Sequence, residues 1–211
     1  MFAYCLNNPV NIKDLGGSIP TRCAMVLDDE RSAAFVQIFS SYSELTIFVG
    51  ESSVVIDAYM VFEGDIDKDI LIKGIKDYWE GDYDFSTGTK TVTVNIHCGT
   101  TSDGRAIRVT SIDGNNTSRT KSTFIGMDQT RVTIYSKYDD GRSKNVGWSM
   151  AHEFGHCLGL EDYYTHIGEP GFGRYYISIM NKALTHAQLI DLELAIMASS
   201  TGKHQLWKDW L

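Results

Sequence analysis

His152–Asp162 reads HEFGHCLGLED, two histidines four apart with a glutamate between them and an aspartate six residues after the second. On a helix, about 100° of turn per residue sets His152 and His156 about 40° apart, on one face and one turn separated, so both imidazoles reach a single metal ion. Glu153 flanks them at the rim. Met150, Ala151, Phe154 and Leu158 fall on the opposite side and give the helix an apolar back for a core. The H-E-x-x-H pattern on such a helix points to zinc. A catalytic zinc usually takes three protein ligands. Gly159 can adopt a left-handed conformation, end the helix and turn the chain back, which carries Asp162 beneath the metal. Glu161, His166 and Glu193 are the alternative third ligands, Glu193 if that ligand comes from a separate helix.

Working outward, residues 1–20 are turn-rich, with Asn7-Asn8-Pro9, Gly16-Gly17 and Pro20. Residues 28–42 read as a short helix and 45–50 as a strand. SVVIDAYMVFE (53–63) is a β-rich strand. After it, Ile66, Ile70, Leu71, Ile75, Tyr78 and Trp79 recur at helical spacing, with Asp65 or Asp67 to cap and Gly81 to stop. Strands are expected over 90–98, 105–113 and 131–137. Residues 114–123 read as a polar loop and 124–128, FIGMD, as an edge strand. A helix is expected to begin near Val146. Thr185 and Gln188 make a capping-box pattern before a last helix over about 186–199, ended by Gly202. The order predicts an α/β (α+β) fold, a twisted mixed sheet backed by helices, in one domain over 53–211. Residues 21–52 are its N-terminal extension or a linker.

The chain has 211 residues, enough for one sizeable core. Its net charge of -8, with no basic run, argues against a nucleic-acid or anionic-membrane surface. No apolar run approaches the roughly 20 residues of a membrane-spanning helix. MFAYCLNNPVNIKD lacks the basic start and long apolar core of a signal peptide, so export would use another route or a larger precursor. Cys5, Cys23, Cys98 and Cys157 show neither a C-x-x-C pair nor knuckle spacing. They read as free thiols in a reduced compartment; a Cys5–Cys23 disulfide, or an N-terminal cysteine blocking the metal, is the alternative. Cys157 is a core thiol by its helix angle. His97 reads as a satisfied structural histidine, and His186 and His204 as surface or capping groups. Asn115 and Asn116 begin sequons, and Asp139-Asp140 a solvated turn.

HEFGHCLGLED resembles the metzincin zinc signature H-E-x-x-H-x-x-G-x-x-(H/D), in its aspartate branch. SIMN (Ser178–Asn181) is similar to the family's methionine turn, with Met180 as the floor beneath the metal. The resemblance spans roughly residues 53–200. It implies peptide-bond hydrolysis at one catalytic Zn2+ held by His152, His156 and Asp162, with Glu153 as the general base that passes a proton to the leaving amine. It also implies an extended protein or peptide substrate added to an edge strand somewhere in 120–128. Many metzincins carry a tyrosine just after the turn; Asn181-Lys182-Ala183 stands there instead. Tyr163, Tyr164, Tyr175 and Tyr176 are the candidates for that transition-state role, Tyr175 and Tyr176 first.

FAYCLNNPVN (2–11) resembles the end of the Rhs/YD-repeat core, where Y-x-x-N-N-P-x-N leads towards D-P-x-G. Tyr4, Asn7, Asn8, Pro9, Asn11 and Asp14 match, Leu15 replaces the proline and Gly17 holds the glycine. The resemblance implies that residues 1–20 are the tail of that core and the rest a C-terminal toxin domain. Such a domain is delivered to a target cell within a larger bacterial protein and neutralised by a cognate immunity protein. The altered D-P-x-G puts self-cleavage there in doubt. Two other readings are a free-standing secreted metalloprotease and a non-catalytic interaction module with structural zinc. The intact Glu153 weighs against the module, because a structural site needs no base.

Overall fold

A computed structural model of the chain describes residues 23–27, 34–39, 44–121, 131–160, 162, 178–181 and 184–201. The organising strand is β4 (Ser53–Gly64), in which Val54, Ile56, Ala58 and Met60 are buried and the alternate residues are not. That period of two gives the sheet one core-facing side. On one edge β4 pairs in parallel with β6 (Gly88–Cys98). Its other edge is divided between two strands. β3 (Leu45–Val49) runs antiparallel along its first half, and β7 (Ile107–Asn115) runs parallel from Met60 onward. Met60 is therefore flanked by Cys98 on one side and Ile107 on the other.

From these edges the sheet grows in three directions. β5 (Gly81–Phe85) makes a hairpin with β6. β2 (Ala34–Phe39) and β1 (Cys23–Leu27) continue antiparallel beyond β3. β9 (Arg131–Lys137) lies parallel to β7, and β8 (Arg119–Lys121) pairs antiparallel with β9 as the last strand on that side among the described residues. The fold is thus a mixed sheet with helices, in agreement with the expected class at that level.

Helix α1 (Lys68–Trp79) is capped by Asp67, whose side chain accepts from the Asp69 amide at 3.0 Å. Asp65, the other expected cap, instead accepts from the Asp113 amide. Helix α2 (Val146–Cys157) begins behind Asn145, which accepts from the Trp148 amide at 3.0 Å. The two helices cross where Gly74 meets Gly147: a Cβ on Gly74 would lie 2.3 Å from the Gly147 Cα. Trp79 locks the crossing, donating its indole N–H to the Ala151 carbonyl at 2.9 Å and meeting Phe154 edge-on. Trp79, Phe154, Met150, Ile75 and Leu71 then share one core with the buried face of β4. No helix among the described residues is long and apolar enough to cross a membrane.

Four local expectations are corrected. Residues 34–39, expected within a short helix, form β2, because AFVQIF finds strand partners on both sides. The stretch 114–123 is not all loop: β7 runs to Asn115, and Arg119–Lys121 is β8. An edge strand needs backbone pairing but no apolar side chains, so its polarity hid it. The hairpin strand GDYDF was hidden for the same reason. The last helix, α3 (Leu189–Thr201), is not capped by Thr185. Instead Asp191, in the first turn, reaches back and accepts from the Gln188 amide at 2.8 Å. Residues 21–52, expected as an extension or linker, supply three strands of the same sheet, and Leu45, Ile47 and Val49 are core.

Candidate metal centre

Asn145 starts α2, and the helix then presents His152 and His156 one turn apart, their rings 5.1 Å apart and perpendicular. Each ring is held from behind by a carbonyl. His152 Nδ1 lies 2.8 Å from the Ile179 oxygen, and His156 Nδ1 lies 2.8 Å from the Leu160 oxygen. A carbonyl only accepts, so both Nδ1 atoms carry a hydrogen and both Nε2 atoms face forward, where a metal ion could be held.

The chain beyond α2 brings the third group. Gly159 has φ 94°, a left-handed conformation that glycine adopts without strain. The Gly159 amide donates to the His156 carbonyl and the Leu160 amide to the Gly155 carbonyl, both at 3.0 Å, which is the double bond of a Schellman cap. Leu160 is fully buried and anchors the reversal. Asp162 arrives with Oδ1 3.1 Å from His152 Nε2 and 3.3 Å from His156 Nε2. The three ligand atoms lie within 4.8 Å of one another, so the cluster could hold a metal ion. Among the described residues it is the one such cluster, and the alternative Glu193 does not belong to it.

The electrostatics favour a cation at this point. Burial alone would raise the Asp162 pKa, but hydrogen bonds and charge from His152 and His156 hold it well below the usual carboxylate range. His156 shows the converse: burial opposes its charge, and Asp162 and Glu153 nevertheless raise its pKa. Glu153 is buried rather than at the rim, at 4% exposed. Burial raises its pKa, against the opposing pull of His156, His152 and a hydrogen bond from Thr120. A carboxyl shifted towards neutrality is suited to taking and returning a proton.

Beneath α2 lies the Ser178–Asn181 turn, closed by the Asn181 amide on the Ser178 carbonyl. Met180 is fully buried against the helix, and a Cβ on Gly155 would lie 2.3 Å from its sulfur. Asp191 of α3 holds the turn. Its carboxylate accepts from the Ser178 hydroxyl at 2.6 Å, the Ile179 amide at 3.3 Å and the Gln188 amide at 2.8 Å. Because Ile179 also supplies the carbonyl behind His152, Asp191 supports an imidazole it does not touch.

Two residues of this site were not anticipated, Asp191 and Thr120. Asp191 had a signal, a carboxylate near the head of the mostly apolar run LIDLELAIM. Thr120 had none, since only the pairing of β8 with β9 brings it to the helix. The remaining expectations divide. Cys157 is buried, its thiol donating to the Glu153 carbonyl, and Cys98 is a free exposed thiol. His97 is satisfied by Asp57 at 3.1 Å and stacks on Tyr59, and His186 is exposed beside Tyr78. Glu161, Tyr163, Tyr164, His166, Tyr175, Tyr176, His204, Cys5, the segment 1–20 and the strand expected over 124–128 lie outside the described residues, as does the side chain of Cys23.

No family model, curated protein or solved structure matches the chain. What bears on its chemistry is therefore the arrangement of its own side chains.

Proposed function

We propose that the chain is a zinc-dependent endopeptidase that hydrolyses peptide bonds of protein substrates. The observation that carries this is the convergence of His152 Nε2, His156 Nε2 and the Asp162 carboxylate beside a buried carboxyl, Glu153, that is not one of the three. Two imidazoles and one carboxylate suit zinc, and three protein ligands are the number typical of catalytic rather than structural sites. Bound there, zinc supplies Lewis acidity, a lowered water pKa and a polarised scissile carbonyl. Glu153 takes the proton from the attacking water and returns it to the leaving amine. Carbonyl-fixed Nδ1 hydrogens keep both imidazoles aimed at the ion. The strand β8, beside Glu153 and last on its side of the sheet among the described residues, is where an extended peptide would add as a further strand.

The proposal extends to biological context. The likeness of residues 2–11 to the Rhs core supports a bacterial toxin effector domain, delivered within a larger protein and restrained by an immunity protein.

The test is expression of the chain and of Glu153→Gln in cells, followed by mass-spectrometric mapping of new protein N-termini. New termini are expected with the parent, and a rate about 10²- to 10⁴-fold lower with the variant while zinc stays stoichiometric. Zinc-loaded Glu153→Gln that generates the same termini would overturn the reading. Asp162→Ala is expected to lose zinc and Glu193→Ala to keep it; the reverse would transfer the third ligand to α3.

A further inference from the structure

Thr120 is the one described side chain from the sheet whose hydroxyl reaches the Glu153 carboxylate. Its Oγ1 lies 2.8 Å from Glu153 Oε2 and 3.1 Å from the Glu153 backbone oxygen. A threonine hydroxyl has a single hydrogen to give. The backbone oxygen already receives the Cys157 thiol, and a charged acceptor at the shorter distance makes the stronger bond. The hydrogen therefore belongs to Oε2. Thr120 sits at the centre of β8, where it pairs with Val132, and is half-buried against α2. The ladder to β9 fixes its backbone and the helix fixes its target.

We propose that Thr120 is a positioning residue for the reaction, holding Glu153 by Oε2 so that Oε1 is the oxygen left to exchange the proton. The inference rests on the endopeptidase reading and deepens it. A carboxylate with two equivalent oxygens and free rotation visits the productive orientation only part of the time. One tethered oxygen removes that freedom before substrate arrives. The tether comes from the strand along which the substrate would lie, so the peptide and the base are referred to the same piece of backbone.

The hydroxyl of Thr120 bonds Glu153 and none of the three atoms that could hold the metal, so the effect should fall on turnover rather than on metal or substrate affinity. The experiment uses the full chain loaded with zinc and a peptide cut by the parent. Thr120→Val, which keeps the shape and loses the hydroxyl, is expected to lower kcat about 10- to 100-fold, the usual scale for losing an outer partner of a site residue, with KM changed less than about threefold. Thr120→Ser is expected to recover most of kcat. Thr120→Ala, which lacks the same methyl as serine, is expected not to; this pair isolates the hydroxyl if the valine variant fails to fold. Equal kcat in the serine and alanine variants, or a loss confined to KM or zinc content, overturns the inference and leaves the endopeptidase reading standing. A zinc-loaded parent that cuts no peptide overturns both.

Discussion

Helices α1 and α2 have the same length, twelve residues each, and cross in direct contact, yet they meet water in opposite ways. α1 is amphipathic. It buries Leu71, Gly74, Ile75 and Trp79 and leaves Lys73 and Asp77 as an exposed ion pair. α2 is buried from Ser149 to Gly155, and its dry surface includes Ser149, His152 and Glu153. Buried polar groups are tolerated only when partnered. Two of the partners of α2 come from distant parts of the chain, Thr120 on β8 and Ile179 in the methionine-bearing turn, and a third, Asp162, comes from just beyond Gly159. A helix that frames a site needs only its own apolar stripe, whereas a helix that carries one depends on groups remote in sequence.

If that contrast is right, the most damaging change short of the ligands is removal of a remote support of α2. Asp191→Ala strands the Ser178 hydroxyl and the Ile179 amide in a buried place and the Gln188 amide in a partly buried one. Roughly 1–3 kcal/mol per unsatisfied buried group gives an expected loss of about 3 kcal/mol or more in urea unfolding. Zinc affinity should weaken with it, as the carbonyl behind His152 loosens. An unchanged midpoint would show that packing alone holds the turn. Gly155→Ala comes next. Its new methyl would meet the Met180 sulfur at 2.3 Å. Overpacking of this kind typically costs about 1–3 kcal/mol, to be read from the thermal midpoint.

A smaller effect, with a sign set by burial, is expected at Glu193. Burial pushes its carboxyl up to about 7, against about 4.3 in an unfolded chain. Between those values the folded protein binds more protons than the unfolded one, so stability falls as pH rises. Glu193→Gln should remove that share of the slope, matching the parent at low pH and melting higher than it above pH about 7. Part of the slope should remain in the variant, because burial also pushes Asp191 up to about 6. A variant whose melting tracks the parent across the range would count against the raised Glu193 carboxyl. Smallest of all, Lys73→Ala breaks only the exposed pair with Asp77 on α1. It should change stability by no more than about 0.5 kcal/mol, and a larger loss would mean that the outer face of α1 is not free.

Much of this was legible where physics acts over a few residues. The period of two in β4 and the helical spacing from Ile66 to Trp79 appear in the sequence because burial repeats with the geometry of the element, and the start of α2 was expected near Val146, where it lies. The pairing of His152 with His156, and the turn at Gly159, are legible for the same reason. Where pairing rather than side-chain character decides, the element leaves no local mark in the sequence. AFVQIF is β2 because strands flank it, and RTK is β8 because β9 offers a free edge. The shift of the α3 cap from Thr185 to Gln188 likewise follows from where Asp191 is needed.

The sequence by itself determined which residues could bind a metal, since imidazole nitrogens and a carboxylate at those spacings share a helix face and the turn beyond it. Only the tertiary structure brought Asp162 to both imidazoles, gathering it and not Glu193 among the described candidates. It alone selected which nitrogen of each histidine points forward, because the Ile179 and Leu160 carbonyls take the other. It alone placed Thr120 on Glu153 and Asp191 under the turn. Ligand identity is a property of side chains, but ligand orientation is enforced by hydrogen bonds from segments that meet only when the sheet and helices close on one another.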